Sequence, residues 1–238
     1  MKDFKIRASS CMDIMAESKV KGELSVGAKT YCKKWLKEYK FGRREEIKSK
    51  YISKGNQCEE LGFDLVSTEI VKDMVYKNTE NKSNEWLSGE CDLFHKCIVY
   101  DNKSSWSLDT FPMFETEVPD KKYWWQMQCY GWLWGAEKLS LCYTLNDAPI
   151  DMVEREVKWV DEANERYKIA ERMLFTQESF DKAMELLFPT ATRTSFKPIP
   201  DEDRVREFKF DYETRIEGLI KQRVEMCREY IYSLLTIK

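Results

Sequence analysis

The chain has 238 residues, of which 42% are hydrophobic and 34% are charged, and its formal net charge is −3. This hydrophobic content is enough for a packed core, and the slightly negative charge excludes binding to nucleic acid through net charge alone. The longest uncharged run, residues 123–136, is shorter than the roughly 20 residues that a membrane-spanning helix needs. Because the N-terminus also has no apolar signal segment, we expect a soluble cytoplasmic protein with no membrane partner.

Hydrophobic periodicity predicts helices in the first third of the chain. Residues 9–17 are expected to form a short helix with Ser9 or Ser10 as its N-cap. Residues 27–49 alternate apolar and basic positions at helical spacing, and an amphipathic helix is expected to follow Gly55. The basic run at 41–55 is interpreted as a solvated helix face.

The middle of the chain alternates strands with a helix, and helices follow it. Two short strands are expected at 90–94 and 97–103, a buried Trp-rich helix at 123–135 and a strand at 138–145. Charged amphipathic helices are expected at about 151–171, 177–187 and 211–235. This order predicts one α/β or α+β domain around a small mixed sheet, with its core at about 50–146 and helical elaborations at 1–49 and 150–238.

The cysteines and the histidine exclude two kinds of site. The eight cysteines are scattered and include no C-x-x-C pair, which predicts reduced thiols. Cys91, His95 and Cys97 are spaced too irregularly for structural zinc. His95 is the only histidine in the sequence, which disfavours a Ser-His or Cys-His catalytic pair.

Asp92, Asp101 and Lys103 are the candidate site residues that the spacing itself indicates. A tight turn around His95 and Lys96 would pair even-numbered residues of the first strand with odd-numbered residues of the second, so that the three side chains share one face. Two converging carboxylates repel each other, and Mg²⁺ completed by water and a substrate phosphate relieves that repulsion. A lysine there, with its pKa lowered by burial and by the ion, is suited to orient or deprotonate a water. The alternative is a surface hairpin that ends in a solvated Asp–Lys pair.

The flanking segments extend this pattern along the chain. They include G-x-x-x-E at Gly55–Glu59, "IRASSCMDIMA" at 6–16, "QMQCYGWLW" at 126–134 and the helical tail at 198–231. Together with Asp92 and the Asp101-Asn102-Lys103 triplet, they resemble the PD-(D/E)XK nuclease superfamily. Within it they resemble the lambda-exonuclease-like (YqaJ-type) recombination exonucleases of phages and viruses. The resemblance implies a restriction-endonuclease-like core with a C-terminal helical extension.

The resemblance also implies roles at the metal site. Asp92 and Asp101 would be the principal ligands, and the backbone carbonyl of Asn102 would be a third. Glu59 would complete this site or hold a second metal ion, although the adjacent Glu60 is an alternative and either glutamate could be a surface residue. Lys103 would be the catalytic lysine.

Further implied roles concern the DNA. Gln128, in preference to Gln126, would position the nucleophile or the scissile phosphate; the alternative is that both are amides of the core. Ser9 would meet the 5′ phosphate of a DNA end, with Arg7 as its charge partner, unless Ser9 is only an N-cap. Two departures are visible: Asp101 stands where glutamate is frequent, and Glu90-Cys91 stand where Ser/Pro is frequent, which puts the preference for a 5′ phosphate in question.

The implied activity is that of a Mg²⁺-dependent 5′→3′ exonuclease, with Mn²⁺ as the alternative ion. It would act on double-stranded DNA ends, leave 3′ single strands for recombination with a single-strand annealing protein, and form a homotrimeric ring in the host cytoplasm of a phage. An iron–sulfur cluster is not expected, because only Cys142 and Cys227 follow the nuclease core. An endonuclease of the same superfamily and a non-enzymatic module that binds DNA ends or scaffolds recombination remain open.

Overall fold

A computed structural model describes residues 3–44, 49–188 and 196–236. Residues 45–48, which belong to the predicted helix 27–49 and to the basic run, lie outside these ranges. Among the described residues, no helix is both long enough and apolar enough to cross a membrane.

The N-terminal segment begins with strand β1 (Ile6–Arg7), a 3-10 turn at 8–10 and helix α1 (Cys11–Met15). The helix predicted at 9–17 is therefore present, but neither serine makes the predicted side-chain cap. Helix α2 (Val26–Phe41) is capped by Ser25, whose hydroxyl accepts a hydrogen bond from the Ala28 amide. It ends earlier than predicted, because the following Gly42 adopts a φ of 62° that terminates the helix.

The helix predicted after Gly55 is present, and a short helix that was not predicted precedes it. Helix α3 (Lys50–Gln57) contains Gly55, and helix α4 (Glu59–Val66) follows it after a break at Cys58. A π-helical turn at 67–71 continues α4 to Lys72, which has a φ of 53°.

A tight hairpin forms the centre of the fold. Strands β2 (Lys82–Ser83) and β3 (Leu87–Gly89) precede it, and β4 (Leu93–His95) and β5 (Ile98–Ser104) are its two arms. The turn consists of Lys96 and Cys97, both with positive φ, as in the two-residue turns that suit the twist of a hairpin.

The remaining elements complete the sheet and add helices. In chain order they are α5 (Lys121–Trp134), β6 (Lys138–Thr144), α6 (Ile150–Val157), α7 (Ala163–Met173), α8 (Gln177–Leu187), β7 (Val205–Asp211) and α9 (Arg215–Thr236). Two predictions were wrong here. The helix predicted at 151–171 is two helices, and the helical tail is preceded by strand β7.

The main sheet has the strand order β4-β5-β6-β7, and β5 and β6 are its parallel pair. A smaller sheet has the order β1-β3-β2, in which β1 and β3 are parallel. Helix α5 connects β5 to β6, and the largest core joins it to α1, α2, α9 and the sheet. Helices α6–α8 enclose a second core of their own. The predicted mixed α/β class is confirmed.

Candidate active site

Strand β5 brings together the three residues that the hairpin pattern selected. Leu93 pairs with Tyr100 and His95 pairs with Ile98, so the register continues to Asp92 opposite Asp101. The Oδ2 atom of Asp92 accepts a hydrogen bond of 2.6 Å from the backbone amide of Asn102. Asp101 and Lys103 are two residues apart on β5, so their side chains project from one face of it. The two carboxylates and the lysine therefore lie together at the hairpin.

Burial makes this arrangement electrostatically costly. The Asp101 side chain is only 4% exposed. Its Oδ2 atom contacts the Lys103 ammonium but has no well-formed hydrogen bond. The pKa of Asp92 is raised to about 7, mainly because the carboxyl group is buried and secondly because the Asp101 carboxylate repels its negative charge. Two buried carboxylates of this kind favour either a shared proton or a bound cation.

The same carboxylates determine the protonation of Lys103. Burial by itself lowers the pKa of this lysine, but the attraction of Asp101 and of Asp92 outweighs burial, and the pKa lies above its ordinary value. The ammonium is also 5.1 Å from the centre of the Tyr123 ring. The lowered pKa expected from the sequence depends on a bound ion and stays a prediction for the metal-bound site.

These residues fit a hard divalent cation. The donors would be carboxylate oxygens of Asp92 and Asp101 and the backbone carbonyl of Asn102, which are the oxygen ligands that Mg²⁺ prefers. The buried Asp101 oxygen that lacks a hydrogen bond is available for such an ion. Among the described residues, no cluster of three or more Asp, Glu, His and Cys side chains could hold a metal ion. Water and substrate oxygens would therefore complete the ligand set.

Glu59 does not join the two aspartates. It begins helix α4, its side chain is 49% exposed, and its Oε1 atom forms an ion pair with Lys77. Glu60 is exposed as well. The structure thus leaves the role of Glu59 open but gives it a specific basic partner.

The two glutamines of helix α5 lie in different environments. Gln128 is completely buried, donates a 2.9 Å hydrogen bond to the carbonyl of Asp211 and accepts one of 2.9 Å from the amide of Glu213. Gln126 instead donates a 2.7 Å hydrogen bond to the Tyr130 hydroxyl. Burial raises the pKa of Tyr130, and the nearby carboxylate of Asp101 raises it further.

Gln126, and not Gln128, is therefore the glutamine whose hydrogen-bond partner interacts with the site carboxylates. The sequence analysis missed Tyr130. Its position four residues after Gln126, on the same helix face, is a signal that could have identified it.

The N-terminal segment approaches the same edge of the fold. Strands β1 and β3 are parallel, so their C-terminal ends lie side by side. Ser9 follows the end of β1, and Asp92 follows the end of β3. Ser9 is exposed on the 3-10 turn. Arg7 forms an ion pair of 3.6 Å with Glu38. The hydroxyl of Ser10, which the predicted roles did not include, interacts with Tyr31.

Arg7 and Ser10 line a cleft of about 1290 Å³ between the 3-10 turn and helices α2 and α3. Basic side chains outnumber acidic ones in its wall, and Tyr31 and Trp35 add aromatic surface. The basic residues are Arg7, Lys34, Arg44, Lys50 and Arg155, and the acidic ones are Asp13 and Glu38. Three of these basic side chains are ion-paired, Arg7 with Glu38, Lys50 with Glu156 and Arg155 with Asp151. A chain with a net charge of −3 thus has a cleft whose wall carries more basic than acidic side chains.

Comparisons with known proteins identify relatives by structure. No family model and no curated protein matches the chain. The structure of a phage related exonuclease from Haemophilus somnus 129PT is similar with a TM-score of 0.76 and 25% identity, and the match covers 98% of this chain and 96% of that one.

A second similar structure is that of the alkaline exonuclease LHK-Exo from Laribacter hongkongensis. It has a TM-score of 0.63 and 11% identity, and the match covers 96% of this chain and 88% of that one. The complex of LHK-Exo with dAMP is similar with a TM-score of 0.59 and 12% identity. At this identity the likeness to LHK-Exo concerns the fold alone. The likeness to the phage related exonuclease supports the resemblance to lambda-exonuclease-like nucleases that the motif order indicates.

Proposed function

We propose that the protein is a Mg²⁺-dependent deoxyribonuclease that degrades double-stranded DNA from its ends in the 5′→3′ direction. The observation that carries this proposal is the placement of Asp92 opposite Asp101, with Lys103 against the Asp101 carboxylate. This site fits a cation, and the similar structures include two exonucleases.

The reaction would be hydrolysis of a phosphodiester bond. A Mg²⁺ ion held by Asp92 and Asp101 would supply charge stabilisation at the phosphate and lower the pKa of a bound water. Water forms a new bond to phosphorus, the P–O3′ bond breaks, and the leaving oxygen takes up a proton. The products are a 5′-mononucleotide and a shortened strand.

Lys103 would act as a hydrogen-bond donor in this reaction. Its position against the Asp101 carboxylate suits its amino group to orient the attacking water or to hydrogen-bond an oxygen of the scissile phosphate. Gln126 and Tyr130 would position the phosphate or the nucleophile, which transfers to Gln126 the role that the sequence assigned first to Gln128. Asn102 would contribute its backbone carbonyl.

The cleft that Arg7 and Ser10 line would hold the DNA end. Its excess of basic side chains suits a sugar–phosphate backbone, for which such charges supply most of the affinity. Arg7 and Ser9 would contact the 5′ phosphate, with Ser10 as a further donor in the cleft wall. We extend the proposal to a homotrimeric ring and to a single-strand annealing protein as partner, as the family resemblance implies.

The experiment uses a blunt linear duplex labelled at each 5′ or 3′ end in turn, and a covalently closed circle. We expect Mg²⁺-dependent release of the 5′ label as a mononucleotide, no cutting of the circle, and no activity in EDTA. Lys103→Ala should abolish release, and its circular dichroism spectrum should show that the variant is still folded.

Other outcomes separate the alternatives. Cutting of the circle would instead indicate an endonuclease, and Mn²⁺-only activity would change the assigned ion. DNA binding without cleavage in either metal would contradict the enzyme and support an end-binding module.

A further inference from the structure

Lys77 precedes a residue that is hydrogen-bonded to the backbone of Cys91 and Asp92. The next residue, Asn78, donates a backbone hydrogen bond of 2.7 Å to the Asp92 carbonyl. Its side-chain amide donates one of 2.9 Å to the carbonyl of Cys91. Two hydrogen bonds thus hold the backbone next to Lys77 against the residue pair that leads into the metal site.

The ammonium of Lys77 lies among acidic residues of the site. It forms an ion pair with Oε1 of Glu59, and Asp92 and Glu90 attract it as well. The Lys77 side chain is 32% exposed, so solvent screens these attractions only in part. One positive charge therefore contacts the carboxylate of Glu59 and is attracted by two more, Glu90 and Asp92, from the segment that leads into β4.

We propose that Lys77 takes the place of a second divalent cation, so that the active site binds one metal ion, at Asp92 and Asp101. The inference rests on the proposed function, since it assumes the metal site at these two aspartates. Lys77 is then a residue that determines how many metal ions bind.

The physical basis is a competition for the Glu59 carboxylate. Hard divalent cations bind carboxylates that have no other positive partner, and the Lys77 ammonium already occupies an oxygen of Glu59. If the Lys77 charge is removed, Glu59 loses its ion-pair partner and Asp92 loses an attracting charge, so that these two carboxylates, together with water, are left for a second cation.

The test is a Mn²⁺ titration that counts ions per chain by the electron paramagnetic resonance signal of the free ion. We expect one ion for the wild type and two for Lys77→Met, which keeps the length of the side chain but removes its charge. The double variant Lys77→Met/Glu59→Gln should return to one ion. Lys77→Gln provides a second, polar replacement if the methionine variant is unstable.

A matched control is Lys82→Met. Lys82 is a nearby lysine in β2 whose ion pair is with Glu80, at 3.8 Å, outside the proposed metal site. This variant should keep one ion. Two ions in the wild type, or one ion in both Lys77 variants, would overturn the role of Lys77 while leaving the metal site intact. A wild type that binds no Mn²⁺ would overturn the metal site of the proposed function and the Lys77 assignment with it.

Discussion

The two faces of strand β5 differ in how their polar groups are satisfied. On one face, Asn102 accepts a 3.0 Å hydrogen bond from Thr144, and Asn146 donates bonds of 3.0 and 2.8 Å to Ser104 and Thr144. On the other face, Asp101 is buried with an oxygen that has no well-formed hydrogen bond.

This difference separates a structural face from a functional one. A neutral network in which each side chain has a partner stabilises the packing of α4 on the sheet. Buried carboxylates that repel each other destabilise the fold unless something else binds them. Alternate residues of one seven-residue strand thus serve opposite purposes, because successive side chains point to opposite faces.

The largest expected effect is a loss of activity when Asp101, on the face of β5 that it shares with Lys103, is replaced. Asp101→Asn keeps the shape of the side chain but removes a metal ligand and the partner of Lys103, so kcat should fall by about 100-fold or more. Steady-state rates on a blunt duplex in saturating Mg²⁺ measure this.

Ser104→Ala is the control from the other face. It removes one hydrogen bond to Asn146 and should lower the free energy of unfolding by about 1 kcal/mol while kcat stays unchanged. Equal losses of activity in the two variants would contradict the division of β5 into two faces.

A pH effect is expected where β5 ends. Lys54 is 1% exposed, and its ammonium donates hydrogen bonds of 3.1 and 2.8 Å to the carbonyls of Ser105 and Trp106. Burial lowers its pKa from 10.5 to about 8, against the weaker attraction of Cys58 and Asp147. At a pH between these two pKa values, Lys54 is protonated in the unfolded chain and neutral in the folded protein.

Wild-type stability should therefore rise with pH across the window from about pH 8 to 10.5, relative to Lys54→Met. The total rise in the difference of unfolding free energies is about 3 kcal/mol, since each pKa unit corresponds to about 1.4 kcal/mol. Urea denaturation of both proteins at several pH values measures it, and titrating groups that do not interact with Lys54 cancel in the difference. A difference that is constant with pH would show that Lys54 has an ordinary pKa.

Glycine substitutions test how tightly the structural face is packed. A Cβ atom at Gly62 would lie 2.1 Å from the amide nitrogen of Asn102 and 2.9 Å from the hydroxyl of Thr144. Gly62→Ala should therefore destabilise the protein by about 2 kcal/mol in chemical denaturation, despite the better helix propensity of alanine.

Gly55→Ala is the matched control, because a Cβ atom there meets open space. It should stabilise α3 by about 0.5–1 kcal/mol. A Gly62→Ala protein as stable as Gly55→Ala would mean that the network under α4 is loosely packed.

A pair of methionine variants distinguishes the two glutamines of α5. Gln128→Met leaves the Asp211 carbonyl and the Glu213 amide without their partner and should cost about 1–2 kcal/mol of stability. Gln126→Met should lower kcat far more than Gln128→Met does. The reverse order of the two kcat values would restore the role that the sequence assigned to Gln128.

Local sequence patterns predicted the parts of the site that lie within one hairpin. The even-odd pairing that puts Asp92 and Asp101 on one face followed from a tight turn predicted around His95 and Lys96. The structure has even-odd pairing, but its turn lies one residue later, at Lys96 and Cys97. The buried helix and strand β6 were also predicted, because their apolar patterns are long enough to show periodicity.

Other features depend on contacts that a periodic pattern does not contain. Strands β1, β2 and β3 have two or three residues each, too few to show alternation. Strand β7 was missed because charged residues separate its phenylalanines in a stretch that was assigned to the helical tail. The pairing of Lys77 with Glu59 joins residues 18 positions apart and arises only from tertiary packing.

A metal ion bound at Asp92 and Asp101, on one face of β5, would be visible by anomalous diffraction from a crystal of the protein soaked in Mn²⁺. We expect one strong peak within coordination distance of carboxylate oxygens of both Asp92 and Asp101. The absence of a peak there, at a Mn²⁺ concentration that supports DNA cleavage, would contradict a metal site at these two aspartates.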